Sequence, residues 1–169
     1  KDGEKILLLG SYIELDTKHM LESVKNFDNV IFKNHPVVDI KRFGELPKNI
    51  IVSNHNMYKL FKNTKLVIGT ASGSSVEAVA CGISVIIIAS QNNLTANPLV
   101  EYGKGEIWDI AFSKDEVNFL YNKLIDFRKN NPTEIEDIAS WYRDNFFIEP
   151  NEENIIKVFE LDKQGCYVT

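Results

Sequence analysis

The sequence is poor in the features that mark disulfide-rich secreted proteins and membrane-spanning proteins. It contains only two cysteines, Cys81 and Cys166, which lie far apart and form no CxxC pair. A structural disulfide or a cysteine-based zinc site is therefore not expected, and this usage favours a reducing, cytoplasmic compartment. The most apolar run, residues 83–89, is too short to span a bilayer, so no transmembrane segment is predicted.

Positively charged residues are fewer than negatively charged ones. The chain has 19 lysines and arginines against 24 aspartates and glutamates, for a formal net charge of −5. A nucleic-acid-binding protein would normally carry a basic face, so nucleic acid is not an expected partner. A local phosphate pocket is still compatible with this balance, because net charge does not report local fields. No Asp-x-Asp motif or cluster of histidine and cysteine occurs, so neither a metal site nor a cofactor is predicted.

Apolar runs alternate with helix-period segments along most of the chain, which predicts one α/β domain over residues 1–162 and a tail at residues 163–169. The predicted strands are residues 5–10, 29–33, 49–53, 65–69, 84–89 and 107–112. The predicted helices are residues 16–27, 39–46, 57–62, 75–81, 115–129, 133–145 (with Thr133 as N-cap) and 151–161. The expected fold is a single Rossmann-like, doubly wound parallel sheet of about six strands with extra C-terminal helices.

The Ser/Gly-rich loop after the fourth predicted strand is the first candidate site. It contains Thr70, Ser72, Gly73, Ser74 and Ser75 and leads directly into a predicted helix. Unpaired amides, the positive end of the helix dipole and several hydroxyls would suit a phosphate group there.

The same loop allows a second interpretation. Ser74 and Glu77 also form an S-x-x-E capping box, so they could simply cap the N-terminus of the helix without a ligand. With a nucleotide bound, Glu77 would either cap the helix or reach a ribose hydroxyl. The loop matches neither the Walker A pattern nor G-x-G-x-x-G, which disfavours the ATP and NAD folds that carry those motifs.

A His-Pro pair after the second predicted strand is the second candidate. Pro36 restricts the backbone of His35, which fixes the direction of an imidazole at the same predicted edge of the sheet. Such a histidine could donate to a phosphate group or exchange a proton near neutral pH. The alternative is a proline-terminated strand followed by a partly exposed histidine.

Together these motifs resemble the C-terminal half of GT-B glycosyltransferases. The matching pieces are K-x-H-P at residues 33–36, the strand ending at 69–70, the turn at 72–75, E-A-x-x-x-G at 77–82 and the apolar strand at 84–89. The pattern is similar in particular to bacterial sialyltransferase and polysialyltransferase-like families, capsule Kdo-transferases and teichoic-acid glycerophosphotransferases. In those families an HP motif and a Ser-Ser motif bind the nucleotide of the donor. By that resemblance His35 and Pro36 match the first motif, and Ser74 and Ser75 match the second.

The resemblance implies a nucleotide-sugar donor-binding domain of a glycosyltransferase in glycan or surface-polysaccharide biosynthesis. The donor would be a CMP-, CDP- or UDP-linked sugar, with His35 stabilising the leaving nucleotide. GT-B enzymes have a second domain, so the chain is expected to be the C-terminal half of a longer hexosyl- or sialyltransferase and to be inactive alone. A glycan or lipid-linked acceptor would bind through the N-terminal domain, in the cytoplasm or at the inner face of the membrane.

Two alternatives remain at the level of sequence. A UDP-N-acetylglucosamine 2-epimerase-like domain shares the architecture, although its usual turn has an Asp before Ser-Gly that Ala71 replaces here. A non-catalytic flavodoxin- or receiver-like binding module is the other, and it is disfavoured because the predicted strand ends lack the clustered aspartates of a receiver.

Overall fold

The computed structural model describes residues 3–160 and confirms the predicted α/β class. The strands are β1 (Lys5–Leu9), β2 (Val30–Lys33), β3 (Ile50–Val52), β4 (Thr64–Gly69), β5 (Ser84–Ile88) and β6 (Trp108–Ala111). They form one parallel sheet in the order β3-β2-β1-β4-β5-β6. This is the Rossmann order, in which the direction of winding reverses between β1 and β4. The flavodoxin and receiver order differs, so the topology disagrees with that alternative.

The helices lie close to their predicted positions. They are α1 (Glu14–Ser23), α2 (Met57–Phe61), α3 (Ser74–Ala80), α4 (Lys114–Asn130), α5 (Pro132–Phe146) and α6 (Glu152–Phe159). None of these helices within residues 3–160 is long and apolar enough to cross a bilayer. The predicted tail at residues 163–169 lies outside the described residues.

Two helix predictions were wrong in detail. Residues 39–46 form only a 3₁₀ turn over Ile40–Phe43, because the carboxylate of Asp39 caps it at one end and Gly44 ends it at the other. The N-cap of α5 is Asn131 rather than Thr133. Pro132 occupies the first helical position, where its missing N–H costs nothing.

Both faces of the central strands β1, β4 and β5 are covered, which explains why these strands are largely apolar without alternation. Leu7 and Leu9 of β1 point into a core built with α3 and α5, and Ile6 and Leu8 point into a second core built with α1 and α4. The loops at the carboxyl ends of the strands are thereby carried on a rigid central layer.

Tyr142 of α5 fixes the loop that precedes β6. Its side chain is fully buried, and its hydroxyl donates toward the carbonyl oxygens of Val100, at 3.1 Å, and Tyr102, at 3.2 Å. The indole of Trp108 donates to the same Tyr102 carbonyl at 3.0 Å. We expect Tyr142→Phe to lower the free energy of unfolding by about 1–2 kcal/mol, measured by urea denaturation, because the hydrogen bonding of a buried hydroxyl is lost.

The pH dependence of the free energy of unfolding tests this contact of the Tyr142 hydroxyl. Burial raises the pKa of Tyr142 to about 12, whereas an unfolded tyrosine titrates near 10. The folded state therefore loses stability as pH rises from about 10 to about 12, because only the unfolded tyrosine ionises readily. The stability difference between wild type and Tyr142→Phe should narrow from near pH 8 to near pH 11. A constant difference would contradict the buried, protonated hydroxyl.

Candidate functional site

A cleft of about 210 Å³ lies at the carboxyl edge of the sheet, where the ends of β1, β2 and β4 meet. Because β1 and β4 flank the reversal of strand order, this is the position where Rossmann-like sheets bind ligands. The cleft is lined by Gly10, Ser11, Tyr12, His35, Thr70, Ala71, Ser72 and Gly73.

The segment after β1 forms one wall of the cleft. The amide of Gly10 donates to the Lys33 carbonyl at 2.9 Å, which holds the first loop against the end of β2. The amide of Ser11 donates to the Thr17 hydroxyl at 2.8 Å, and the Ser11 hydroxyl accepts from the Ile13 amide at 3.0 Å. That hydroxyl therefore keeps its own proton for donation to a ligand.

His35 forms the second wall and is half-buried. Its Nδ1 accepts a hydrogen bond from the Val37 amide at 3.4 Å, so the neutral ring carries its proton on Nε2. The ring of Tyr12 meets the imidazole edge-to-face, with the centroids 6.2 Å apart. Pro36 is exposed and does not line the cleft, so its contribution here is to the backbone before it.

The segment after β4 closes the cleft. The Ser72 hydroxyl accepts from the Ser74 amide at 3.3 Å and so retains its proton, as Ser11 does. Thr70 is 8% exposed, which shows that only a small part of this side chain reaches the cleft.

The capping-box interpretation of this segment is wrong. The N-cap of α3 is Gly73, without a side-chain cap, and Ser74 is already the first helical residue. A helical backbone at Ser74 prevents its hydroxyl from capping the helix in the usual way. The carboxylate of Glu77 instead accepts from the Tyr58 hydroxyl at 3.4 Å.

Half of the predicted site residues line the cleft and half do not. His35, Thr70, Ser72 and Gly73 line it, whereas Pro36, Ser74, Ser75 and Glu77 do not. Ser75 is fully buried, and its hydroxyl has no hydrogen-bond partner within residues 3–160. Glu77 lines a larger, neighbouring cavity of about 440 Å³ between α2, α3 and the end of α5, together with Tyr58, Cys81 and Arg143.

The sequence analysis missed Gly10, Ser11 and Tyr12. The sequence did contain a signal for them, because Gly-Ser at residues 10–11 follows β1 much as Gly-Thr at residues 69–70 stands at the end of β4. Only the strand order makes that similarity informative, since it places the two loops side by side.

The electrostatics of the cleft suit an anion. The chain is acidic, with a formal net charge of −5, yet no aspartate or glutamate lines the cleft. Four residues with hydroxyls, Ser11, Tyr12, Thr70 and Ser72, and the imidazole of His35 line it, and such donors can bind phosphate oxygens. Within residues 3–160 no group of three or more histidine, cysteine, aspartate or glutamate side chains could hold a metal ion.

No protein-family model and no curated protein sequence matches the chain. Solved structures do match its fold. The kitacinnamycin glycotransferase superposes with a TM-score of 0.62 at 15% identity, covering 96% of this chain and 43% of that protein. The glycosyltransferase SnogD from Streptomyces nogalater gives 0.59 at 17% identity, covering 95% and 44%.

A third structure, Anabaena Alr3699/HepE in complex with UDP, gives a TM-score of 0.57 at 16% identity and covers 94% of this chain and 49% of that protein. The chain thus spans less than half the length of these three proteins, which places its fold with one half of each. Identities this low show the fold alone, which is the Rossmann-like parallel sheet that the sequence predicted.

Proposed function

We propose that the chain is the nucleotide-sugar donor-binding domain of a glycosyltransferase that acts in surface-polysaccharide or other glycan biosynthesis. The observation that carries this proposal is the cleft itself: its lining has hydroxyl and imidazole donors, lacks carboxylates and lies between β1 and β4. The fold it shares with half of several glycosyltransferases supports the same conclusion.

In this proposal the phosphates of a CMP-, CDP- or UDP-linked sugar occupy the cleft. The hydroxyls of Ser11 and Ser72 donate to phosphate oxygens, and Nε2–H of His35 donates where negative charge builds on the leaving nucleotide. A fixed donor at that point stabilises the transition state more than the ground state, which is what accelerates bond cleavage.

The nucleoside and the sugar then extend in different directions from the phosphates. Glu77, in the neighbouring cavity, offers a carboxylate that can accept from ribose hydroxyls. The loop at residues 91–99, after β5, borders the sugar. The acceptor, which is a glycan or a lipid-linked glycan, and the catalytic base belong to a second domain. This chain alone therefore binds the donor but does not turn it over. The complete enzyme acts in the cytoplasm or at the inner face of the membrane.

The role of His35 is testable by calorimetry with UDP, CDP and CMP. Replacing His35 with alanine removes one donor from the phosphates, so the Kd of the bound nucleotide should rise about tenfold. His55→Ala is the matched control, because His55 is exposed and lies outside the cleft lining. Equal affinities for wild type and His35→Ala would remove His35 from the site, and absence of binding to wild type at millimolar nucleotide would refute the proposed function.

A further inference from the structure

A buried carboxylate lies behind the cleft, at the start of α1. Asp16 is the third residue of that helix and is only 6% exposed. Its Oδ1 accepts a hydrogen bond of 2.8 Å from the hydroxyl of Ser90, which follows β5 and is 74 positions away in sequence. Burying a carboxylate is costly without partners, so this contact and the N-terminal end of the helix dipole both help to stabilise it.

Asp16 lies between the cleft and the loop that follows β5. A small enclosed cavity of about 40 Å³ brings Asp16 together with Ser11 and Thr70, which also line the cleft. The same cavity is lined on its other side by Ser90 and Thr95 of the loop. The loop therefore adjoins residues of the cleft lining but does not line the cleft itself.

Ser90 holds the start of the loop after β5 through hydrogen bonds. The amide of Ser90 donates to the Thr95 hydroxyl at 3.1 Å, which closes residues 90–95 into a compact turn. Leu94 is 96% exposed at the rim of the small cavity. Ser90 therefore links this turn directly to the carboxylate of Asp16.

We propose that Asp16 is a positioning residue that holds residues 90–96 beside the cleft through Ser90, and that this placement determines how tightly the sugar of the donor is bound. The sugar part of this inference rests on the proposed function. The nucleotide itself contacts the cleft lining, so its own affinity does not depend on the Asp16–Ser90 bond.

Hydrogen exchange in the ligand-free chain tests the positioning role. Asp16→Ala and Ser90→Ala should each speed exchange of the amide of residue 90, which donates to the Thr95 hydroxyl, by about tenfold. The double variant should exchange no faster than the stronger single variant, because both changes remove the same bond. Asp16→Asn is the matched control, since its amide oxygen still accepts from Ser90.

Two results would contradict the coupling between Asp16 and the loop. Exchange in Ser90→Ala within about twofold of wild type, or additive effects in the double variant, would overturn the coupling. If Asp16→Ala does not fold, Ser90→Ala decides the question, because it deletes only a half-buried hydroxyl.

Comparing the Kd values of nucleotides and nucleotide sugars distinguishes a role of the Asp16–Ser90 bond in positioning the sugar from a merely structural role. For Ser90→Ala, the Kd of UDP-N-acetylglucosamine or CMP-N-acetylneuraminic acid should rise about tenfold. The Kd values of UDP and CMP should stay within about twofold of wild type. Equal losses for nucleotide and nucleotide sugar would overturn the sugar role. If wild type binds no nucleotide, the proposed function fails, and hydrogen exchange still decides whether Asp16 positions the loop.

Discussion

Gly10→Val should disable the cleft and destabilise the protein together. A Cβ at Gly10 would lie 3.0 Å from the backbone nitrogen of His35, 3.1 Å from Cε2 of Phe32 and 3.2 Å from Oδ1 of Asn34. Two of these three atoms belong to the loop after β2, so a side chain would drive that loop away from β1. We expect the free energy of unfolding to fall by about 1–3 kcal/mol and the nucleotide Kd to rise about tenfold or more as His35 is displaced.

The two effects can be measured separately. Urea denaturation gives the stability, and calorimetry gives the nucleotide Kd at a temperature where circular dichroism shows the variant folded. Gly10→Ala is the graded comparison, because it adds the Cβ alone and should produce smaller changes of the same sign. Wild-type stability and affinity in Gly10→Val would show that the loops after β1 and β2 are not in close contact.

Gly103→Ala is expected to cause a large loss of stability. Gly103 has φ +76°, a conformation that costs an L-residue about 1–2 kcal/mol. The new Cβ would also lie 2.8 Å from Cγ2 of Ile138 and 3.0 Å from Cγ2 of Ile107, both buried. Strain and overpacking together should lower the free energy of unfolding by about 2–4 kcal/mol, measured by urea denaturation.

Gly73→Ala is the matched control for this prediction. Gly73 has helical dihedral angles, φ −55° and ψ −25°, and a Cβ there would meet no atom within 4 Å. The free energy of unfolding of Gly73→Ala should be unchanged or raised by up to about 1 kcal/mol, because alanine restricts the unfolded chain. Similar losses for Gly73→Ala and Gly103→Ala would contradict the backbone described around both positions.

The sheet was predictable from sequence because both faces of its central strands β1, β4 and β5 are covered, so each of these strands contains a continuous apolar run. Helix ends were less predictable. Residues 16–27 were predicted as one helix, but α1 ends at Ser23, and Val24 and Phe27 remain buried in the turn that follows. The chain continues to face the core after the helix stops, so apolar spacing overestimates its length.

The candidate site was predictable only where a strand end alone identifies it. His35 and Ser72 follow strands β2 and β4 and do line the cleft. Ser75 was predicted from its hydroxyl and from the resemblance to the Ser-Ser motif, although Ser75, Ala78 and Val79 share the buried face of α3 at helical spacing. The contribution of Ser11 depends on the order of the strands, which local sequence patterns do not encode.

The central claim is that the cleft binds the phosphates of a nucleotide, and the most direct test is an NMR titration of the ¹⁵N-labelled chain with UDP, CDP and CMP. We predict saturable shifts at the amides of Gly10, Ser11, Ser72 and Gly73 and at the His35 imidazole, with little change in α4, which packs against the sheet away from the cleft lining. No shift at millimolar nucleotide, or shifts confined to residues outside the cleft, would contradict the account.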